Sequence, residues 1–563
     1  MITRRQALHG GGLLTVAALL AACGGGTGSG GLTPGTLRLG ATDINPQPRD
    51  RVRDGGNLRV PMSQFPSNFN VNQVDGSSTD MLLITFAALP YLFTGTADGG
   101  AVRNGDYLVS ASVTSTAPQV VTYVINPKAV WSDGSPITYR DFVSYWRALN
   151  GTNPAYQAAG TAGYDDIASV ARGTDDRQVV VTFTKPFGEW QSLFTPLMPS
   201  ALNDSPTAFN GAWRTSMPVT SGPFTVRSID QGSQTVTLHR DPRWWGTPPK
   251  LDAVTLRRYD TSALPDALAN NELDVYGIGA ILDLLRRAQT TAGAVVRGAP
   301  GRYAFNITLN GAGSSLLSDL GVRQAVAQAI DREQIVRRTL GQSVPSAKPD
   351  GSHLYAPGAK QYRDNAVVLP FDPAKAQRTL DSLGWTRPAN SPTTVRTKNG
   401  KSLTLRLVFG HDATNRDLAA TIQNQLAPIG VGVTLQEVDP NQLFPDFLSP
   451  GNFDLALLGW LSNQYPISSS ASVYQAPTGT NFRQNYGRIG TPAIDALLDA
   501  AMAELDETKR AEIGNEADRL IWSQAHSVIL FAVPGITATR ANLANYGARG
   551  FADPDFINAG FMK

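Results

Sequence analysis

The chain has 563 residues, more than one ordinary compact domain holds, so two to four folded units are expected. Its 48 Lys+Arg against 46 Asp+Glu leave a formal charge of +2, which supplies no overall attraction to nucleic acid or to an anionic membrane. The 42% hydrophobic fraction is that of a globular protein, the single cysteine excludes a disulfide framework or thiolate-cluster metal site, and the five histidines lack paired metal spacing, so no metal or cofactor is expected.

Residues 1–22 read as an export leader. Arg4 and Arg5 give the positive start, and Leu13, Leu14, Val16 and Leu19 form an apolar run too short to span a bilayer. Thr3-Arg4-Arg5 with Leu8 fits the twin-arginine route as well as the general secretory one. Leu20-Ala21-Ala22-Cys23 resembles a bacterial lipobox, which implies that Cys23 becomes a lipidated N-terminus on the outer face of the cell membrane. The leader carries two arginines and no acid, so its removal brings the charge to zero. Attachment then rests on the acyl chains, at about 0.8 kcal/mol per buried methylene. Residues 23–56 open with Gly-Gly-Gly-Thr-Gly-Ser-Gly-Gly and read as a flexible tether, with Leu37, Leu39 and Ile44 able to pack on the body.

Along the body, the spacing predicts a short helix over 79–91. A strand over 119–125 follows, with Val121, Tyr123 and Ile125 on one face. A helix over 141–150 carries Phe142, Tyr145, Trp146 and Leu149, and further strands follow at Val179–Phe183, 234–239 and 254–258. Beyond residue 301 the pattern turns α/β. Ser318 is expected to cap a helix bearing Val322, Val326, Ile330 and Ile335, and Asp372-Pro373 to open another that Gly384 stops. Asn399-Gly400 turns into a strand with Leu403, Leu405, Leu407 and Phe409. A helix with Leu418, Ile422 and Leu426 then leads to a strand from Val431, a βαβ succession with a parallel pair. Thr491-Pro492 and Asp506 open the last two helices, and His526 at the end of the second is expected to cap or pack.

Motifs for common chemistry are missing. Gly400-Lys401-Ser402 lacks the upstream glycine of a phosphate loop, and neither G-x-S-x-G nor H-E-x-x-H occurs. The acid pairs Asp165-Asp166 and Asp175-Asp176 read as solvated loops rather than a catalytic dyad.

Five phrases, in order, resemble the substrate-binding proteins of bacterial peptide ABC importers, the oligopeptide/dipeptide-binding class. They are Val130-Trp131-Ser132-Asp133-Gly134-Ser135-Pro136-Ile137-Thr138 with Asp141-Phe142; Ser221-Gly222-Pro223-Phe224 with Arg240-Asp241-Pro242-Arg243-Trp244-Trp245-Gly246; Val322-Arg323-Gln324-Ala325 with Ala329-Ile330-Asp331-Arg332; Phe371-Asp372-Pro373 through Leu383-Gly384-Trp385; and Ile429-Gly430-Val431 through Gly459-Trp460. The whole is similar to the oligopeptide-binding lipoproteins of mycobacteria.

The resemblance implies an α/β, two-lobed fold of the periplasmic-binding type, with an extra subdomain in the first lobe and a two-stranded hinge. The first lobe is expected at 57–300, with an inserted subdomain at about 85–215 and a C-terminal return at 533–563. The second is expected at 301–532, with hinge crossings at 303–309 and 528–533. It implies a monomer that binds peptide and meets ABC membrane subunits, without catalysis. Implied ligand contacts are Phe65, Asn68, Phe69 and Asn70 from the first lobe, and Trp460, Ser462, Asn463, Gln464 and Tyr465 from the second. The family places an acid for the peptide's α-amine where this chain has Asn463, which keeps open a mannosylated phosphatidylinositol or another envelope glycolipid as ligand. A cell-envelope hydrolase is the alternative of another class.

Overall fold

The computed structural model describes residues 37, 39–388, 394–479 and 481–563; the leader, Cys23 and most of the expected tether lie outside the described residues. The first lobe is built on two four-stranded sheets. In one, Asn57–Met62 pairs parallel with Ala253–Arg258, followed by antiparallel Thr235–Arg240 and Phe224–Asp230. The other is wholly antiparallel, in the order Leu108–Thr116, Gln119–Ile125, Gln178–Phe183, Ile167–Arg172. Its alternation buries Val121, Tyr123, Ile125, Val179, Val181 and Phe183 on one face. The helix Tyr139–Leu149 covers that face with Phe142 and Tyr145, and starts on a capping box between Thr138 and Asp141.

A six-stranded sheet runs from the first lobe into the second, in the order Val275–Gly277, Ser527–Arg540, Ala294–Leu309, Leu455–Leu461, Thr404–Gly410, Gly432–Val438. Its last two strands are parallel and joined by the helix Ala413–Leu426, the βαβ unit read from the pattern. Asn399 and Gly400 both adopt positive φ, which suits the tight turn ahead of that unit.

The two long strands belong to both lobes. Residues 294–299 pair with 535–540 over a core holding Leu268, Tyr276 and Leu285, whereas 303–308 pair with 527–533 in the second-lobe core. The register breaks between Ala299 and Tyr303, at Pro300-Gly301-Arg302. A Cβ on Gly301 would overlap the carbonyl of Val533, so glycine is what lets the strands stay this close as they cross.

One expectation is corrected. The helix over 322–335 is two helices, Leu320–Gln328 and Arg332–Leu340. Asp319, not Ser318, caps the first through Gly321 N and Val322 N. Asp331 accepts from Gln334 N and restarts the chain as a second helix. The described part of the expected tether also lies on the body. Leu37 and Leu39 pack beside Gly298, Asp43 pairs with Arg297 at 2.9 Å, and Val52 bridges to Met562.

Candidate functional site

A cavity of about 590 Å³ lies between the lobes. Phe86 and Tyr91, stacked at 4.0 Å, and Phe93, Tyr145 and Tyr164 give it an aromatic wall from the first lobe. The facing wall is the segment from Leu461 to Tyr465 with Ser468 and Ser469, and Arg302 and Asp553 add opposite charges. Flat rings tolerate many side chains, and a polar facing edge supplies hydrogen bonds to groups that ligands of one class share.

The second-lobe wall forms where the strand Leu455–Leu461 ends. Ser462 N donates to the carbonyl of Arg302 at 2.8 Å, which carries the chain across the hinge strand. Asn463 accepts from Tyr465 N at 2.8 Å, so its oxygen shapes its own turn. Gln464 Nε2 donates to Phe551 O at 3.1 Å, and Tyr465 Oη to Gln191 O at 3.0 Å. Both bonds join the lobes, and a Cβ on Gly95 would overlap Gln464 Nε2.

Glu189 also joins the lobes. Its carboxylate accepts from Ile467 N at 3.1 Å, Ser468 N at 2.8 Å and Ser468 Oγ at 2.5 Å. These open the helix Pro466–Tyr474, whose own N-cap residue Tyr465 offers no side-chain cap. A first-lobe carboxylate thus satisfies helix-start donors of the second lobe. Burial pushes the Glu189 carboxyl above the usual range. Nearby, Gly188 N donates to Met502 O at 2.5 Å and Arg510 to Gly188 O at 3.0 Å.

Asp553 accepts from Gly95 N at 2.6 Å and, through its other oxygen, from Gln464 at 3.4 Å. Desolvation raises its pKa and lowers that of Arg302.

Of the nine residues expected to meet ligand, the cavity wall holds Ser462, Asn463, Gln464 and Tyr465. Trp460 stands behind it, stacked parallel to Tyr486. The four from the first loop do not line this cavity. Asn68 and Asn70 are fully buried and bond the carbonyls of Asn210 and Phe209, and Phe65 packs edge-on against buried Phe69. Their amides satisfy backbone groups that burial would otherwise strand. Val71 and Asn72, just beyond, reach the cavity instead. Tyr91, Tyr145, Glu189, Arg302 and Asp553 were missed. Only Arg302, a charge beside a glycine at the expected hinge, left a local trace.

Among the described residues no group of three or more His, Cys, Asp or Glu could hold a metal ion, and no helix is long and apolar enough to cross a membrane.

The sequence model of the bacterial extracellular solute-binding proteins, family 5 middle, matches residues 107–482. The oligopeptide-binding protein OppA of Mycobacterium tuberculosis is 40% identical over 557 residues, covering 98% of this chain and 93% of that protein. The probable monoacyl phosphatidylinositol tetramannoside-binding protein LpqW of the same organism is 30% identical over 381 residues, 63% of this chain and 59% of its own. Among solved structures, a periplasmic EDTA-binding protein, EppA, superposes with a TM-score of 0.84 at 27% identity, over 93% of this chain and 99% of that one.

Proposed function

Because the chain belongs to family 5 of the bacterial extracellular solute-binding proteins, we propose that it captures peptides between its lobes and passes them unaltered to the membrane subunits of an ABC importer. One observation carries the reading: a cavity between lobes joined by two long strands, in a chain 40% identical to OppA over 98% of its length. A receptor for many peptides grips the backbone and termini, and leaves side chains to tolerant surfaces. Asn463 carries no charge, and Asp553, an acid on the same cavity wall, takes the family acid's place and receives the peptide's α-amine.

The working division is a first lobe of residues 57–300, with the inserted subdomain at about 85–215 and the return at 533–563, and a second lobe of 301–532. Cys23 carries the lipid that holds this monomer at the cell surface. The cavity performs no covalent step.

The mature protein, stripped of bound solute, is titrated with a pool of random tripeptides bearing free amines, and with the same pool N-acetylated. The free-amine pool should bind more tightly, and Asp553→Asn should weaken it by about tenfold, the worth of a charge-assisted bond. No binding of either pool overturns the peptide reading. Binding unchanged in Asp553→Asn overturns the role of that acid.

A further inference from the structure

A second cavity, of about 760 Å³, borders the hinge and shares no lining residue with the cleft. Pro300, Gly301, Ala532 and Pro534 of the two long strands form one side of it. Leu39 of the N-terminal arm adds to that side, and the second lobe supplies the other walls. The charged groups there are engaged or exposed. Asp331 accepts from Gln334 N, Asp364 accepts from Ala366 N, and Arg332 donates to the carbonyls of Asp350 and Ile529. Glu333 and Lys348 are exposed.

Proline and aliphatic side chains make up most of the remaining wall, with Ile330, Val344 and Ala366 buried in it. Val367 in the same wall is 64% exposed, more than any other large apolar side chain among the described residues, and Phe371 is 52% exposed. The groove has the size of a small-molecule site, and covering its apolar rim is favourable.

The course of the chain points to the occupant. The arm reaches the body at this groove, where Leu39 lines it and Leu37 packs beside Gly298. From Leu37 back to Cys23 the sequence holds one large apolar side chain, Leu32, among glycines, threonines, a serine and a proline. One leucine does not fill 760 Å³, whereas acyl chains on Cys23 bring long runs of methylenes. Cys23 stands 16 residues before Leu39, and a Gly-rich run of that length spans about 22 Å on average. Such a tether presents its lipid to the groove at a concentration on the order of millimolar.

We propose that this groove is the seat of the acyl lipid on the protein's own Cys23, taken up when the lipid leaves the bilayer. The proposal rests on the lipidation of Cys23. A bilayer and an apolar groove bury the same methylenes, so the seated lipid stays hidden from water.

The probe is cis-parinaric acid, a fatty acid that fluoresces in apolar surroundings. It is titrated into two detergent-free proteins, with the tripeptide pool present to fill the cleft. One is the mature protein purified from its own cells, whose intact mass reports the lipid. The other is the same mature chain made without its leader and carrying Cys23→Ser, so that it has no lipid. Val367→Asp and Phe371→Asp are then made in the unlipidated chain. Both positions are exposed, so melting should match that of the parent.

The unlipidated chain should bind the probe, and each aspartate should weaken binding by about tenfold. The lipidated protein should bind at least about tenfold more weakly than the unlipidated one, because its own lipid holds the groove. No binding by the unlipidated chain, or binding that survives both aspartates, overturns the groove as an acyl site. Equal binding by the two proteins overturns the protein's own lipid as occupant. Aggregation of the lipidated protein once detergent is removed also overturns it, because a seated lipid is shielded. An unlipidated chain that sediments as a dimer, and as a monomer with Val367→Asp, gives the groove to a second copy instead. A mature protein whose mass shows no lipid removes the lipidation reading itself, and the proposal with it. If neither aspartate variant folds, the comparison of lipidated with unlipidated protein still decides the occupant.

Discussion

His526 lies buried just past the helix Glu507–Ser523, bonded to Asn485, and burial drives its pKa down to about 3. The unfolded chain binds a proton there below about pH 6.5, and the native protein does not. This contribution to stability is complete above pH 6.5 and is lost toward pH 3, at about 1.4 kcal/mol per pH unit. Asp350, pushed up to about 8 by burial, acts in the opposite sense between its ordinary and raised pKa, so the wild-type curve alone hides both. His526→Gln removes only the first. Its melting temperature should gain on wild type steadily from pH 6.5 to pH 4, and parallel curves would contradict the assignment. At this scale the sequence was a partial guide. Asn68 and Asn70 have the side chains of ligand contacts, yet they serve carbonyls of their own lobe. Asp553 had no local signal, because the C-terminal segment brings it to Gly95 across 458 residues of chain.

Elements were legible where one strong local rule acted. Pro373–Ser382 begins after Asp372 and ends before Gly384, which has positive φ, as the cap, the first-turn proline and the stop glycine dictate. The pattern failed at 322–335, where apolar spacing ran on through Asp331 and the cap overrode it. Contacts between elements were invisible in the same way. Nothing near Glu189 announces a partner some 280 residues away, yet it completes the first turn of Pro466–Tyr474. A parting of the lobes would break that cap. Glu189→Ala leaves Ile467 N and Ser468 N without this acceptor where the lobes meet, so tripeptide affinity should fall about tenfold. The melting temperature should change little, because the bonds lie between lobes rather than within a core. Unaltered affinity would show that closure does not depend on this junction.

At the scale of the molecule, each lobe buries its own core, and two strands of 16 and 14 residues run through both. The crossings expected at 303–309 and 528–533 correspond to the second-lobe halves of those strands. Their extension to 294 and 540 escaped notice because Pro300-Gly301 reads as a break, and Pro534 does too. In the N-terminal arm, the apolar Leu37, Leu39 and Ile44 beyond the Gly-rich start are the legible trace of residues that lie along the body and the C-terminal return. An anchor joined through that arm would meet the body beside the hinge, at Asp43 and Arg297. The central claim is passive capture: solute enters between the lobes and leaves chemically intact. Native mass spectrometry of the mature protein as purified from its own cells is the direct measurement. The account predicts a protein carrying peptides that are released unmodified on unfolding and rebind to the stripped protein. A preparation that carries only glycolipid, or that cleaves an added peptide, would contradict it.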